Sequence, residues 1–260
     1  MRGKALVVAV VNQKGGVGKT TTALNLATCI AQTGRATLLV DADPQANATS
    51  GLGVDPRGLP ATVYDLLVGR RPLSGVVRGT GISGLSLLPS SPDLAGVEAE
   101  LPTLPDWQRM LRRALEPAKG AYRWVLIDTP PSLGVMTVMA LVAADYVLIP
   151  LQCEYYAMEG LSQLLPTVER VRDGLNPGLK VAGIVLTLFD TRTRLSREVA
   201  EEVKAHFPDL VFKTVIPRSV RVAESPSHGL PVVLYDPGSR AAEAYRALSV
   251  ELMGRIEGRR

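Results

Sequence analysis

Apolar residues fall in short, β-branched runs separated by longer segments with helical spacing. The apolar runs predict strands over residues 5–11, 36–40, 85–88, 124–127, 146–150, 181–189 and 211–216. The segments between them predict helices over residues 20–33, 62–67, 106–118, 136–144, 157–172, 193–206 and 240–256. Strands that are apolar along their whole length are covered on both faces. The pattern therefore predicts a single α/β domain over residues 1–260, with a mostly parallel twisted sheet and helices on both faces.

A glycine-rich turn joins the first predicted strand to the first predicted helix. It reads Gln13-Lys14-Gly15-Gly16-Val17-Gly18-Lys19-Thr20-Thr21. In such a turn the backbone N–H groups bind phosphate, Lys19 reaches the β- and γ-phosphates, and the Thr20 hydroxyl ligates Mg²⁺. Gln13 stands where the usual pattern has its first glycine, and a second lysine, Lys14, follows it. A plain glycine turn with incidental lysines is the alternative, which the strand and helix on either side disfavour.

Acidic residues follow two other predicted strands. Asp41 and Asp43 come after the second strand, and Asp128 comes after the fourth. The carboxyl ends of parallel strands meet at the edge where the glycine-rich turn is expected. An aspartate in this position often only caps a helix, but beside a phosphate-binding turn Asp128 is predicted to lie in the Mg²⁺ shell.

Composition narrows the function classes. The 260 residues are 46% hydrophobic and 21% charged, which indicates a globular chain, and the net charge of +4 permits nucleic-acid or anionic-surface binding. Cys29 and Cys153 lack metal-ligand spacing and argue against a disulfide framework, so a cytoplasmic location is expected. The basic start at residues 1–4 and the short apolar run after it are not typical of a signal peptide.

Three segments together resemble one known family. They are residues 14–22 (KGGVGKTTT), 40–47 (VDADPQAN) and 127–132 (IDTPPS), supported by 152–160, 189–193, 216–221 and 223–229. The chain resembles the ParA/MinD superfamily of P-loop NTPases with a deviant Walker A sequence, and within it the ParA/Soj chromosome-partition branch. The similarity runs from about residue 5 to residue 252. No helix-turn-helix extension precedes the glycine-rich turn, so the chain resembles the short members of the family.

The resemblance implies an ATPase whose cofactors are ATP and Mg²⁺. It implies nucleotide contacts from Lys14, Gly15, Gly16, Val17, Gly18, Lys19, Thr20 and Thr21, with Pro217 and Arg218 on the adenine side. It implies metal ligation by Thr20, Asp41 and Asp128. It implies catalytic roles for Lys14, Lys19, Asp43 and Asp128, with Asp43 positioning the attacking water.

The resemblance also implies partners. ATP would drive a sandwich homodimer with Lys14 reaching the partner's nucleotide and Gly16 at the interface. Arg192 and Arg221 match the DNA-contacting arginines of the family, which implies nonspecific binding of double-stranded DNA on the nucleoid. The alternative for exposed arginines is plain solvation. The expected stimulator of hydrolysis is a ParB-type centromere-binding protein, and no membrane is expected.

Three other functions use the same kind of turn. A MinD-like membrane ATPase needs an amphipathic tail, but residues 254–260 hold one large apolar residue. An iron–sulfur carrier needs cysteines in the segment that follows the fourth predicted strand, and this segment, residues 128–134, contains none. A metabolic enzyme of the amidoligase type is compatible with Lys14, but the Arg192 and Arg221 segments fit partition better.

Overall fold

Seven strands build one sheet in the computed structural model, which describes residues 5–258. The strands are β1 (Leu6–Val10), β2 (Thr37–Asp41), β3 (Arg78–Gly79), β4 (Leu85–Leu88), β5 (Trp124–Asp128), β6 (Tyr146–Gln152) and β7 (Lys180–Thr187). Their order across the sheet is β3-β4-β2-β5-β1-β6-β7. Residues 1–4 and 259–260 lie outside the described part. The predictions about a signal peptide at residues 1–4 and about the last two residues of the tail therefore concern residues that the structure does not describe.

Six strands run parallel, and only the two-residue β3 pairs antiparallel to β4 within the described part. In this register Asp41 at the end of β2 lies opposite Asp128 at the end of β5. Val10 at the end of β1 lies opposite Asp128 on its other side. The turn after β1 and both acids therefore share one edge of the sheet, as predicted, and the α/β fold class is confirmed.

Helices cover both faces of this sheet. They are α1 (Lys19–Gln32), α2 (Asn47–Ser50), α3 (Val63–Leu67), α4 (Val97–Glu100), α5 (Met110–Ala114), α6 (Ala118–Ala121), α7 (Val135–Ala143), α8 (Ala157–Gly174), α9 (Arg194–His206), α10 (Val220–Glu224), α11 (Val232–Tyr235) and α12 (Arg240–Glu257). Alternate residues of β1 enter two separate cores: Val7 packs with α7 and α8, and Val8 packs with α1 and α12. Two cores explain why the strands are apolar throughout.

The predicted strand over residues 211–216 is wrong. Val211 makes an isolated bridge to Ile184 of β7, but the ladder does not continue. The N–H groups of Lys213 and Thr214 instead donate to the Glu251 carboxylate of α12, at 2.9 and 3.0 Å. Because a side chain takes these donors, the segment runs beside β7 without becoming an eighth strand.

Arg255 of α12 also holds this segment. Its guanidinium donates to the carbonyl oxygens of Leu210 and Val211, at 3.0 and 2.7 Å, and stacks 4.0 Å from the centroid of the Phe212 ring. Glu251 pairs with Arg255 at 3.0 Å. Two charged residues of α12 thus fix residues 210–214 against the outer strand of the sheet.

Two further predictions differ from the structure. The single helix predicted over residues 106–118 is a 3-10 turn (Trp107–Arg109) and α5, with α6 beginning after Pro117. A proline restricts the residue before it to extended backbone and breaks such a run. The prolines of the segment 89–105 predict a course along the surface, but Leu94, Val97 and Leu101 of this segment are buried in the core.

Gly183 in β7 is a position where a larger residue should not fit. A Cβ built there would lie 2.5 Å from the Leu210 oxygen and 2.6 Å from the Phe212 ring. We expect Gly183→Ala to lower the free energy of unfolding by about 1–3 kcal/mol through overpacking. Chemical denaturation checks this, with Gly160→Ala as control because a Cβ at Gly160 meets no atom within 4 Å in residues 5–258. Equal stability of the two variants would contradict the expected clash.

Candidate functional site

The phosphate-binding turn lies between β1 and α1 and is held from two sides. Gly16 and Gly18 have φ angles of 74° and 84°, the left-handed region that glycine adopts without strain. Asn12 donates to the Pro150 oxygen at 2.8 Å, and the Thr187 hydroxyl donates to the Val17 oxygen at 2.8 Å. The strands β6 and β7 therefore fix the turn in place before any ligand binds.

The two lysines of the turn contact different parts of the molecule. Lys19 is buried, and its Nζ donates to the Lys14 carbonyl oxygen at 2.9 Å. Burial lowers the pKa of Lys19, although Asp128 and Asp43 act in the opposite direction. The Lys14 ammonium lies 2.5 Å from the Glu154 carboxylate, and both side chains are about two-fifths exposed, at 40% and 43%. Gln152 donates to the same carboxylate.

Asp41 is a buried acid with two partners. Its Oδ2 accepts from the Thr49 N–H at 2.8 Å and from the Thr49 hydroxyl at 2.7 Å, and its Oδ1 accepts from the Asp43 N–H at 3.2 Å. Burial raises the pKa of Asp41 to about 6 despite these hydrogen bonds. Asp41 thereby fixes α2 next to the turn. Asp43 is also buried, and its Oδ1 accepts from the Gln45 N–H at 2.9 Å.

Asp128 is the unusual acid of the site. It is fully buried, and neither carboxylate oxygen has a hydrogen-bond partner within residues 5–258. Burial raises the pKa of Asp128 well above its usual value and Asp41 adds to the rise, while the nearby Thr20 hydroxyl and Lys19 act against it. A buried carboxylate without hydrogen-bond partners calls for an explanation, and a bound cation would supply the partner. Proteins usually bind Mg²⁺ through one or two carboxylates, and the phosphates of the substrate supply further oxygen ligands.

No group of three or more His, Cys, Asp or Glu side chains in the described part of the chain has an arrangement that could hold a metal ion. Cys29 and Cys153 are buried, and burial raises the pKa of each thiol to about 11.

Over residues 5–258, no helix is both long and apolar enough to cross a membrane.

A basic cleft of about 490 Å³ opens beside the end of β7. It is lined by Phe189, Asp190, Thr191, Arg192, Pro217, Arg218, Ser219 and Arg240. The structure thus brings the predicted adenine-side residues together with Arg192. Arg240 is an addition that the sequence analysis missed, since it begins a helix far along the chain and no local pattern links it to Arg192.

The two arginines predicted to bind DNA are both paired with acids. Arg192 is 84% exposed and donates to Asp190 at 2.8 Å. Arg221, on α10, lies 3.0 Å from Glu224 and 3.2 Å from Asp236, with 55% of its side chain exposed. Arg221 is not among the residues that line the basic cleft.

A smaller cleft of about 260 Å³ adjoins the start of α1. It is lined by Thr20, Thr21, Leu24, Asn25, Asn47, Ser50, Gly51, Ser225, Pro226 and Leu230. Thr20 and Thr21 of the phosphate-binding turn therefore face α2 and the 3-10 turn (Ser225–His228) across an open space. Of these lining residues, the sequence predicted only Thr20 and Thr21 as ligands.

Comparison with known proteins identifies a matching family model and relatives that align with almost the whole chain. A family model described as "AAA domain" matches residues 5–181. The sporulation initiation inhibitor protein Soj of Bacillus subtilis is 51% identical, over 95% of this chain and 97% of that protein. The chromosome partitioning protein ParA of Caulobacter vibrioides is 51% identical, over 97% of this chain and 96% of that protein.

Solved structures share the fold along almost the whole chain. A cobyrinic acid a,c-diamide synthase from Mycobacterium smegmatis with bound ADP and magnesium has a TM-score of 0.87 and 39% identity, over 98% of this chain and 97% of that one. The septum site-determining protein MinD from Pyrococcus horikoshii, complexed with Mg-ADP, has a TM-score of 0.80 and 27% identity, over 95% and 96%.

Proposed function

Because this chain belongs to the Soj/ParA family of chromosome-partitioning ATPases, we propose that ATP switches it between a monomer and a DNA-binding homodimer. The observation that carries this proposal is the division between the two lysines of the turn. Lys19 lies inside the site and Lys14 lies at its rim, bound to Glu154. In this proposal, Lys19 would bind the chain's own nucleotide and Lys14 would serve a second copy.

The nucleotide would sit on the turn between Lys14 and Thr21. The backbone N–H groups and Lys19 would bind the phosphates. The Val17 carbonyl oxygen, which accepts from the Thr187 hydroxyl of β7, holds the turn against the sheet. Thr20 and Asp128 would hold Mg²⁺, with Asp41 behind them, and the ion supplies charge neutralisation at the β- and γ-phosphates. Pro217 and Arg218 would contact the adenine side.

Asp43 would orient the attacking water. It is buried beside Asp41, and its Oδ1 is held by the Gln45 N–H. A water held in line with the γ-phosphate is the main requirement of phosphoryl transfer, because catalysis there consists of positioning and charge stabilisation. A ParB-type centromere-binding protein is the proposed partner that accelerates this step.

Dimerisation would make use of Lys14 and Gly16. Lys14 would leave Glu154 and approach the partner's nucleotide, while Gly16 would allow the two turns to come close. The ion pair at the rim costs little to break, because exposed salt bridges contribute only about 0–1 kcal/mol. Nucleotide phosphates offer Lys14 more negative charge than Glu154 does.

DNA binding would use the arginines of the dimer. Arg192 and Arg221 would exchange their carboxylate partners for backbone phosphates, which fixes the protein on DNA without reading sequence. Such binding would place the ATP-bound protein on the nucleoid in the cytoplasm. Its release would follow hydrolysis.

The first test is binding to random-sequence duplex DNA at low salt, with ATP, with ADP and without nucleotide. We expect ATP-dependent binding that Arg192→Ala or Arg221→Ala weakens by about tenfold or more. Arg57→Ala is the matched control: Arg57 is 86% exposed and pairs with Asp55 two residues before it, as Arg192 does with Asp190. An equal loss in the control would contradict a specific role for Arg192.

A second candidate comes from the 39% identity to the diamide synthase of Mycobacterium smegmatis, which permits a metabolic ligase. ATP-dependent binding to neither DNA nor anionic vesicles would favour that function. Binding to the vesicles alone would favour a MinD-like membrane ATPase. Binding to DNA alone would support partition.

A further inference from the structure

Three segments meet around the mouth of the phosphate-binding turn. A Cβ on Gly15 would lie 3.8 Å from the Cβ of Pro131, which follows β5. Lys14 contacts Glu154, which follows β6. The exposed residues that these contacts bring together are Gly15, Gly16, Pro131, Tyr155 and Tyr156. We call these five residues, with Lys14 and Glu154, the rim face.

Two tyrosines give the rim face an unusual apolar surface. Tyr155 is 77% exposed and Tyr156 is 62% exposed, and no Tyr, Trp or Phe elsewhere in residues 5–258 is exposed to this extent. Their rings meet edge to face with centroids 5.2 Å apart. Tyrosine is enriched among the residues that dominate binding energy at protein interfaces, because it buries a large apolar area at little cost in side-chain entropy.

The charges and shape of the rim face suit a second copy of the same chain. A two-fold interface places one patch against itself, so the patch must be self-complementary. The rim face carries one lysine and one glutamate 2.5 Å apart, so it has no net charge that would repel a second copy of itself. A Cβ on Gly16 would meet no described atom within 4 Å, which leaves the backbone open to close approach.

We infer that Tyr155 and Tyr156 are the apolar anchor of the contact between two copies of this chain. The inference rests on the proposed function and deepens it by naming residues that hold the dimer together without touching the nucleotide. The tyrosines follow Glu154 directly in the sequence. Glu154, which would release Lys14, and the two tyrosines, which would pack against the partner, therefore belong to one segment and would move together. Closure would then couple the freeing of Lys14 to the burial of the aromatic pair.

A different partner is the main competitor. The Ser196 hydroxyl on α9 donates to the Cys153 oxygen at 3.4 Å, so the segment that carries the tyrosines also adjoins the helix that begins with Arg194. DNA or a stimulating protein could therefore reach the same tyrosines. The test must separate self-association from both.

The test is sedimentation velocity of the full chain with Mg²⁺ and a nonhydrolysable ATP analogue. We expect the double variant Tyr155→Ala/Tyr156→Ala to self-associate at least tenfold more weakly than the unmodified chain. The double variant to phenylalanine should associate as the unmodified chain does, because the rings remain. Val250→Ala is the control for loss of an exposed apolar side chain elsewhere, since Val250 is 66% exposed on α12.

Thermal unfolding and titration with a fluorescent ATP analogue show that each variant is folded and binds nucleotide. If the alanine variant dimerises like the unmodified chain, the inference is overturned and the proposed function stands. If that variant dimerises but loses DNA binding or stimulation by a ParB-type protein, the tyrosines serve that partner instead. If the unmodified chain itself stays monomeric with the analogue, the dimer of the proposed function fails, and the inference fails with it.

Discussion

Replacing Lys14 by alanine should leave ATP binding almost unchanged while lowering ATP hydrolysis by about 100-fold or more. Lys14 pairs with Glu154 at the rim and makes no side-chain contact with Lys19 or the buried acids of the site. Its proposed role is to stabilise charge on the partner's nucleotide, and removing one such donor typically costs about 10²–10³ in rate. Titration with a fluorescent ATP analogue and steady-state phosphate release measure the two quantities.

Lys19→Ala is the contrasting variant. Lys19 is buried inside the turn, so its loss should weaken ATP binding itself, by about tenfold or more. Glu154→Gln is the control for the ion pair, because it frees Lys14 without removing it and should not lower hydrolysis. Should Lys14→Ala weaken ATP binding as much as Lys19→Ala does, Lys14 would act in its own site and the sandwich arrangement would be wrong.

Replacing Asp128 by asparagine should abolish Mg²⁺-dependent hydrolysis and yet stabilise the protein without ligand. The carboxylate is fully buried, has no hydrogen-bond partner in residues 5–258, and lies opposite Asp41 in the sheet. Because burial raises the pKa of Asp128, the folded protein loses stability above the ordinary carboxyl pKa, and removing the acid should raise the free energy of unfolding by about 1–3 kcal/mol. Thermal unfolding without nucleotide or Mg²⁺ should therefore show a higher midpoint, by about 2–4 °C for each kcal/mol.

Asp41→Asn is the matched control for this prediction. Asp41 is equally buried, but its carboxylate accepts two hydrogen bonds from Thr49. An amide at this position presents an N–H₂ group where an acceptor is needed, so we expect a lower unfolding midpoint. A lower midpoint in both variants would contradict the interpretation of Asp128 as an acid kept for a bound cation.

The sequence was sufficient for six strands of the sheet and for the turn, because these depend on local patterns. Apolar runs predicted six of the strands, and the glycine spacing located the turn before Lys19. The resemblance supplied more, since the chemical roles of Lys14 and Asp43 do not follow from spacing alone. Those roles stay predictions that the variants above address.

What the sequence could not supply are contacts between distant residues. The pairing of Lys14 with Glu154 joins residues 140 positions apart, and Arg240, the first residue of α12, lines the same cleft as Arg192. The apolar run at 211–216 has the composition of a strand, but Glu251, almost 40 residues later, accepts from two of its N–H groups, those of Lys213 and Thr214. Such outcomes depend on tertiary packing, which overrides local preference.

The contacts of Glu251 and Arg255 have a consequence for how the protein avoids aggregation. β7 is an outer strand of the sheet, and an open outer strand is a template for pairing with other chains. Residues 210–216 lie along that strand, held there by charged side chains of α12 rather than by a full ladder. The segment held by α12 therefore shields this edge of the sheet, and the protection is complete only once α12 has been synthesised and has docked.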